Sequence, residues 1–462
     1  QQIWAETALT ADGWQNHVLV TVDNTGTIAS VKPDTGPAGH RTGILLPAPV
    51  NLHSHAFQRA MAGLTEARGR DPSDSFWTWR QLMYRFLDQL TPDHIEAITG
   101  FVQMEMLEAG YAAVAEFHYL HHQPDGTPYD DIAELSARIC AAASDTGIGL
   151  TLLPVLYEHG GCDGRALGAG QRRFGNTPDK YAGLQQAAAK AAAALPDDTI
   201  VGVAPHSLRA VSRDGLKFAD WLATNSPVHM HLAEQVAEVE EVEAAWGKRP
   251  VDWLLSHHKI DERWCLIHCT QMTPEETTGL AATGAVAGLC PITESSLGDG
   301  IFDGVRYVDA GGRFGVGSDS NIRISLAEEL RTLEYSQRLR DKGRAMLATP
   351  DKSTGRVLFD GVCAGGAQAA GRNCGSIEPG WLADLVSLDA GNPNLAGRSG
   401  DVLLDSFIFA GGNRLVSDVW AAGRHCVHEG NHMARGRIIQ LSLIHISEPT
   451  RRTIPSRMPS SA

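Results

Sequence analysis

Apolar and polar positions along the chain fall into three regimes. Up to about Gly43 they alternate in short runs broken by turn signals such as Asp23-Asn24-Thr25-Gly26, which predicts β-strands over 17–22 and 28–31. From Ile44 the rhythm changes. The apolar run 44–50 predicts a buried strand. A long segment comes next, containing Glu66, Arg70 and Trp77-Thr78-Trp79-Arg80. Helical patterns over 92–109, 129–146, 180–195, 214–224, 236–246 and 273–283 then alternate with strand-like runs over 112–119, 148–157, 201–205, 228–232, 264–268, 285–290 and 314–317. From about Glu378 short strands return, at 385–388, 406–409, 416–421 and 425–428.

Counting the opening run, eight strands alternate with helices. That order predicts an α/β chain with a closed (β/α)8 TIM barrel over 48–378. The flanking segments 1–47 and 379–440 are expected to pair into a small β-sandwich domain, because chain ends commonly lie close together. Residues 441–462 read differently. Neither Ser447-Glu448-Pro449-Thr450-Arg451-Arg452 nor the residues after Arg452 have an apolar period, so a disordered tail is expected. The stretch 441–452 reads as translated adapter sequence, non-native to the gene.

Composition narrows the class. The chain has 462 residues, 43% hydrophobic and 20% charged, as in ordinary globular proteins. A formal net charge of −15 argues against nucleic acid and anionic membrane surfaces as partners. No run is long enough to span a bilayer. Gln1–Glu6 has neither the basic start nor the apolar centre of a signal peptide. The eight cysteines have no CxxC spacing and read as reduced, buried thiols. The expected location is cytoplasmic.

The candidate chemistry sits at strand ends, where barrels of this type place their catalytic groups. His53 and His55 lie at the end of the first run. Two histidines at i and i+2 on a strand share a face and make half a metal site. His229 and His231 close the fifth strand, with Glu234 beyond them; His268 closes the sixth; Asp319 lies in the turn after the eighth. A lone strand-end histidine is more often structural, but this set together predicts a metal-dependent hydrolase. His229 and His231 share a face, so periodicity does not choose between them; His231 is favoured because Glu234 then sits one turn past the metal. Three imidazoles and a carboxylate (His53, His55, His231 and Asp319) suit Zn²⁺, or Fe²⁺ with similar ligands. Bound water would be activated, with Asp319 taking its proton, His268 donating to the nucleophile or developing oxyanion, and Glu234 protonating a departing nitrogen. A binuclear centre would want a bridging lysine or carboxylate on the fourth strand. Val201–His206 offers no lysine, so one metal per subunit is expected.

With these motifs in place the sequence resembles the amidohydrolase superfamily, in its deaminase branch. More closely it is similar to the formimidoylglutamate deiminase family of histidine degradation. That likeness rests on NLHSHAFQRAMAG at 51–63, SFWTWR at 75–80, EFHYLHH at 116–122, APHSLR at 204–209, HMHLAEQ at 229–235 and WCLIHCTQM at 264–272. The resemblance implies hydrolysis of N-formimino-L-glutamate to N-formyl-L-glutamate and ammonia, one zinc ion and a homodimer. It also implies that Gln58, Arg80, Tyr119, His206 and Arg209 bind substrate. The two arginines agree with a dicarboxylate ligand, since a guanidinium fork matches a carboxylate. The nearest rival is another deaminase or chlorohydrolase of this fold acting on a purine, pterin or triazine, which would want aromatic stacking instead. A non-catalytic scaffold would be expected to lose metal ligands, and all four are present.

Overall fold

The computed structural model describes residues 1–66 and 76–453; Arg70, Ser75 and 454–462 lie outside the described residues. The chain opens with β1 (Gln2–Thr10) and β2 (Gly13–Val22) as a hairpin, extended by β3 (Ile28–Lys32). β4 (His40–Pro47) then runs parallel to β1. The apolar run 44–50 is therefore not one strand. Pro49 has no N–H to give a ladder, and the run divides there. Ile44–Pro47 stay in the first sheet, and β5 (Val50–Ser54) begins a second.

β5 pairs in parallel with β6 (Ala113–His118), which pairs with β7 (Gly149–Leu156). The fourth strand is interrupted: β8 (Ile200–Val201) and β9 (Ala204–Pro205) both pair with β7. The break falls at Gly202, where a Cβ would come 2.6 Å from the Pro227 carbonyl oxygen. A second parallel sheet holds β10 (Val228–Leu232), β11 (Trp264–His268), β12 (Val286–Leu289) and β13 (Arg313–Val316). Isolated parallel bridges join the two arrays at both edges, Ser54 to Asp319 and Val203 to Val228. The strands are almost wholly buried on both faces, as expected of parallel strands covered by helices.

The chain returns to the first sheet with β14 (Leu385–Leu388), β15 (Val416–Ala421), β16 (Arg424–His428) and β17 (Asn431–His432). Where two packed sheets were expected, hydrogen bonding runs through one eight-stranded sheet in the order β17-β16-β15-β14-β4-β1-β2-β3. β14 joins the halves by pairing antiparallel to β4.

Several helices match their expected limits. Val236–Trp246 does so fully, and Pro274–Ala281 starts at the anticipated Thr273 with a capping box. The strand expected at 406–409 is instead helical: Asp401–Ser406 leads into a wide turn over Phe407–Gly411. Phe407 and Ile408 are buried there, and a short apolar run does not distinguish a buried strand from a buried helix. The helix Thr354–Ala370 has no counterpart in the sequence reading. Its glycines disguise it, yet they allow close packing: a Cβ on Gly365 would meet the Phe314 carbonyl oxygen at 1.9 Å. The stretch after 440, expected to be disordered, continues the helix Arg435–Thr453, with Ile438 and Ser442 buried one turn apart.

Candidate metal centre

Three strand ends converge. His53 lies on β5 with His55 just beyond it, His231 lies on β10, and Asp319 comes after β13. His53 Nε2 is 3.2 Å from His55 Nε2 and 3.1 Å from His231 Nε2. Asp319 Oδ1 is 3.2 Å from His55 Nε2 and 3.6 Å from His53 Nε2. All four residues are buried.

Hydrogen bonding fixes what these nitrogens present. His55 Nδ1 donates to the Phe117 carbonyl at 3.0 Å, and His231 Nδ1 donates to the His206 carbonyl at 3.2 Å. A carbonyl only accepts, so in the neutral rings both Nε2 atoms carry lone pairs. Two lone pairs and a third imidazole nitrogen thus face one point, with the Asp319 carboxylate beside His55 and His53. Such a donor set is complete only around a cation. A tetrahedral ion with ligands at roughly 2.0–2.1 Å places its ligand atoms about 3.3–3.4 Å apart, close to the spacings here. The residues fit a divalent metal. Burial pushes the His53 and His231 imidazoles well below their usual range and His55 down to about 3, which keeps them unprotonated, as metal ligands must be.

The structure also separates His229 from His231. His229 Nε2 donates to the Ala369 carbonyl at 2.7 Å and takes no part in the cluster.

His268 stands beside the cluster. Its Nε2 is 3.7 Å from Glu234 Oε1 and 3.9 Å from Asp319 Oδ2, and its Nδ1 is 3.3 Å from Glu294 Oε1. Burial alone would lower its pKa, but the carboxylates of Glu234, Asp319 and Glu294 outweigh it and hold the ring well above its usual range. Burial pushes Asp319 up to about 7, opposed by His268 and assisted by Glu234. His268 (φ 73°) and Asp319 (φ 46°) both adopt left-handed backbone, as does Ala233 (φ 53°) ahead of Glu234. Non-glycine residues adopt it at a cost that surrounding contacts must offset. For Asp319 those contacts are explicit: its N–H donates to the His53 carbonyl and its carbonyl accepts from His55 N–H, both at 2.9 Å. Asn321 Nδ2 also donates to the carbonyls of Asp319 (3.0 Å) and His55 (3.2 Å).

The five expected substrate groups, Gln58, Arg80, Tyr119, His206 and Arg209, all line one cavity. His55, His231, Glu234, His268 and Asp319 line it too; His53 does not. Arg80 reaches the cavity from the helix Phe76–Leu87, not from a strand end. Its Nη2 donates to the Tyr157 hydroxyl at 2.8 Å, and its guanidinium lies 5.4 Å from the Tyr84 ring centre. Tyr119 Oη and His206 Nε2 are 3.0 Å apart. Gln58 Oε1 is buried with no hydrogen-bond partner among the described residues.

Sequence reasoning missed Tyr157, which accepts from both Arg80 and Gln171, and the ring of Phe174 beside it. It also missed Glu294 and Asp299. Glu294 sits one turn into a proline-led helix after β12, a position that counting groups past every strand end would have found. Asp299, buried beside Glu234 and His268, is pushed up to about 9 by burial and by the Glu234 charge; nothing local marks it.

Comparison with known proteins agrees with this geometry. A model described as the amidohydrolase family matches residues 44–426, and one described as the N-terminal domain of formimidoylglutamate deiminase HutF matches residues 1–41. The formimidoylglutamate deiminase of Pseudomonas aeruginosa is 49% identical over 441 residues, covering 94% of this chain and 96% of that protein. The crystal structure of an amidohydrolase from Brucella melitensis superimposes with a TM-score of 0.93 at 47% identity, covering 97% of this chain and 100% of that one. An adenosine deaminase from Xanthomonas campestris, solved with bound zinc, shares the fold with a TM-score of 0.79 at 21% identity, covering 98% of each chain.

Proposed function

The chain belongs to the amidohydrolase family, and on that premise we propose that it is a formimidoylglutamate deiminase of histidine degradation, converting N-formimino-L-glutamate to N-formyl-L-glutamate and ammonia. One observation carries the reading from family to substrate. Arg80 and Arg209 line the same cavity as Glu234, His268 and Asp319, so a dianionic substrate can be held by its carboxylates with its formimino group at the reacting side chains.

In this reading His53, His55, His231 and Asp319 hold one Zn²⁺ per subunit, with Fe²⁺ as a chemically similar occupant. A divalent ion bound there lowers the pKa of a coordinated water to about 7. The side chains do the rest. Arg80 and Arg209 bind the two carboxylates, while Gln58, Tyr119 and His206 hydrogen-bond the substrate and fix its approach. Water adds to the formimino carbon as Asp319 takes its proton. His268, beside Glu234 and Asp319, hydrogen-bonds the water oxygen as it adds and orients it on the formimino carbon. Glu234 delivers one proton to the terminal nitrogen and the proton held by Asp319 follows. As the C–N bond breaks the added hydroxyl gives its remaining proton back to Glu234, so ammonia leaves behind a formyl group and both carboxyls regain their starting states.

The architecture fits this assignment. The bridges at both sheet edges support a closed (β/α)8 barrel over 48–378, with 1–47 and 379–440 as the accessory β-domain. The tail beyond 440 takes no part in the reaction. A homodimer in the cytoplasm completes the reading; no described helix is long and apolar enough to cross a membrane.

Ammonia release tests the proposal. The purified protein should release it from N-formimino-L-glutamate at a rate that tracks its metal content. The aromatic lining by Trp79, Tyr119, Tyr157 and Phe174 is what a ring-binding deaminase would use. Turnover of a purine, pterin or triazine, with none of formiminoglutamate, would therefore replace the substrate and leave the deaminase chemistry.

A further inference from the structure

Away from the barrel cavity, a second cluster of ligating side chains lies in the eight-stranded sheet. Asp418 on β15 is buried, and three imidazole nitrogens surround its Oδ1: His428 Nδ1 at 2.8 Å, His425 Nε2 at 3.0 Å and His40 Nε2 at 3.4 Å. The four ligand atoms all lie within 4.8 Å of one another. β4, which carries His40, and β15 are separated in the sheet by β14, yet the His40 side chain reaches Asp418 and the His425 ring.

Three features distinguish this cluster from an ordinary hydrogen-bonded carboxylate. First, His40 Nε2 is buried and makes no hydrogen bond among the described residues, although it faces Asp418. Second, the other carboxylate oxygen is already held: Asp418 Oδ2 accepts from Ser417 Oγ at 2.8 Å and from Ser387 Oγ at 3.2 Å. That leaves Oδ1 committed to the imidazoles, as outer hydroxyls orient a ligating carboxylate. Third, the His425 ring stacks on buried Trp420, 4.7 Å between centres and 14° between planes, which fixes its direction. His428 is 48% exposed on its side chain, giving an ion a path in.

We propose that His40, Asp418, His425 and His428 form a second metal site, taking a divalent ion of the zinc class in a closed three-nitrogen, one-oxygen set. The donor types equal those of the barrel site; His40 already stands at the roughly 3.3 Å between ligand atoms of a tetrahedral zinc ion, and an ion would replace the hydrogen bonds that His428 and His425 now make to Asp418 Oδ1 at 2.8 and 3.0 Å. Four protein ligands leave no position for a substrate, so the site is structural. The ion ties β4 to the β15–β16 hairpin, two places apart in the sheet, and its binding free energy adds to the stability of that sheet.

Metal content under defined free zinc tests this on the intact protein. Wild-type protein dialysed against micromolar zinc should retain about two ions per chain, and the double variant His425→Ala/His428→Ala about one. The single variant His428→Asn, at the exposed ligand, guards against a folding defect and should lower occupancy of this site alone. Zinc should raise the melting temperature of wild type more than that of His428→Asn. One ion per chain in wild type, or equal zinc content in wild type and both variants, would overturn the proposal. So would a cluster whose effect on melting depends on pH alone and ignores zinc.

Discussion

His268 and Glu294 are joined through the imidazole Nδ1, 3.3 Å from the carboxylate Oε1, and this turns the opposite nitrogen toward Glu234 and Asp319. Glu294 thus fixes the direction of the ring to which the proposed reaction gives a hydrogen-bonding role. Glu234→Gln and His268→Asn should each keep the barrel metal and lower kcat by about 10²-fold or more. Steady-state kinetics with metal analysis on the same samples checks this, and near-parental turnover in either variant removes that residue from the chemistry.

The two histidines of β10 should behave oppositely. His231→Ala should lose one metal ion per chain relative to the parent and nearly all activity. His229→Ala should keep the metal, because its Nε2 is spent on the Ala369 carbonyl. The cost there is stability, about 1–3 kcal/mol for a buried acceptor left without its donor. Metal loss in His229→Ala would reverse the ligand assignment.

Recognition should reside in the arginines. Losing a charge-assisted contact to a buried carboxylate costs about 2–5 kcal/mol, roughly 30- to several-thousand-fold. Arg80→Met and Arg209→Met should therefore lower kcat/KM for N-formimino-L-glutamate by at least about 30-fold while metal stays bound. An analogue lacking the matching carboxylate should lose far less. Equal losses on both substrates would show that the arginines support the fold and do not select the ligand.

Glu116 gives a pH dependence independent of turnover. It is buried, its Oε1 accepts from Ala56 N–H at 2.7 Å, and burial pushes it up to about 8 from 4.5. The folded pKa exceeds the unfolded one. Its contribution to stability is then fully present below about pH 4.5 and lost as pH rises through about 8. Between those limits the melting temperature of Glu116→Gln should fall less with pH than that of the wild type. Parallel curves would mean that Glu116 does not titrate in this range.

The catalytic half of the site was legible because strand-end geometry is written in short spacing. His53 and His55, His268, and Asp319 in its Gly-Ser-Asp-Ser turn each announce an end. Alternation gives His231 and His229 the same face, so the preference for His231 rested on its spacing to Glu234, and the Ala369 carbonyl that holds His229 agrees with it. Arg80 and Gln58 came from resemblance: each reaches the cavity from a helical segment whose placement no local pattern encodes. Tyr157 ends a strand-like run and nothing in the sequence marks Phe174; both are buried core residues that also line the cavity. For the fold, periodicity revealed the strands of the two parallel arrays and six of the helices, but neither β1 nor the helix Leu326–Asp341. It failed where one residue overrode the pattern, at Pro49 within an apolar run, and where glycines served packing, in Thr354–Ala370.

The eight-stranded sheet has a consequence for how the protein is made. β4 is one of its central strands, and the partner on one side, β14, lies beyond both parallel sheets in sequence. At roughly 5–20 residues per second, a ribosome needs tens of seconds to pass from β4 to β14. Through that interval the nascent chain carries an apolar strand, Ile44-Leu45-Leu46, with an unpaired backbone edge of the kind that recruits other strands. Synthesis, more than the finished molecule, is therefore where aggregation threatens and where a chaperone would act, and slowing elongation should lower the soluble yield.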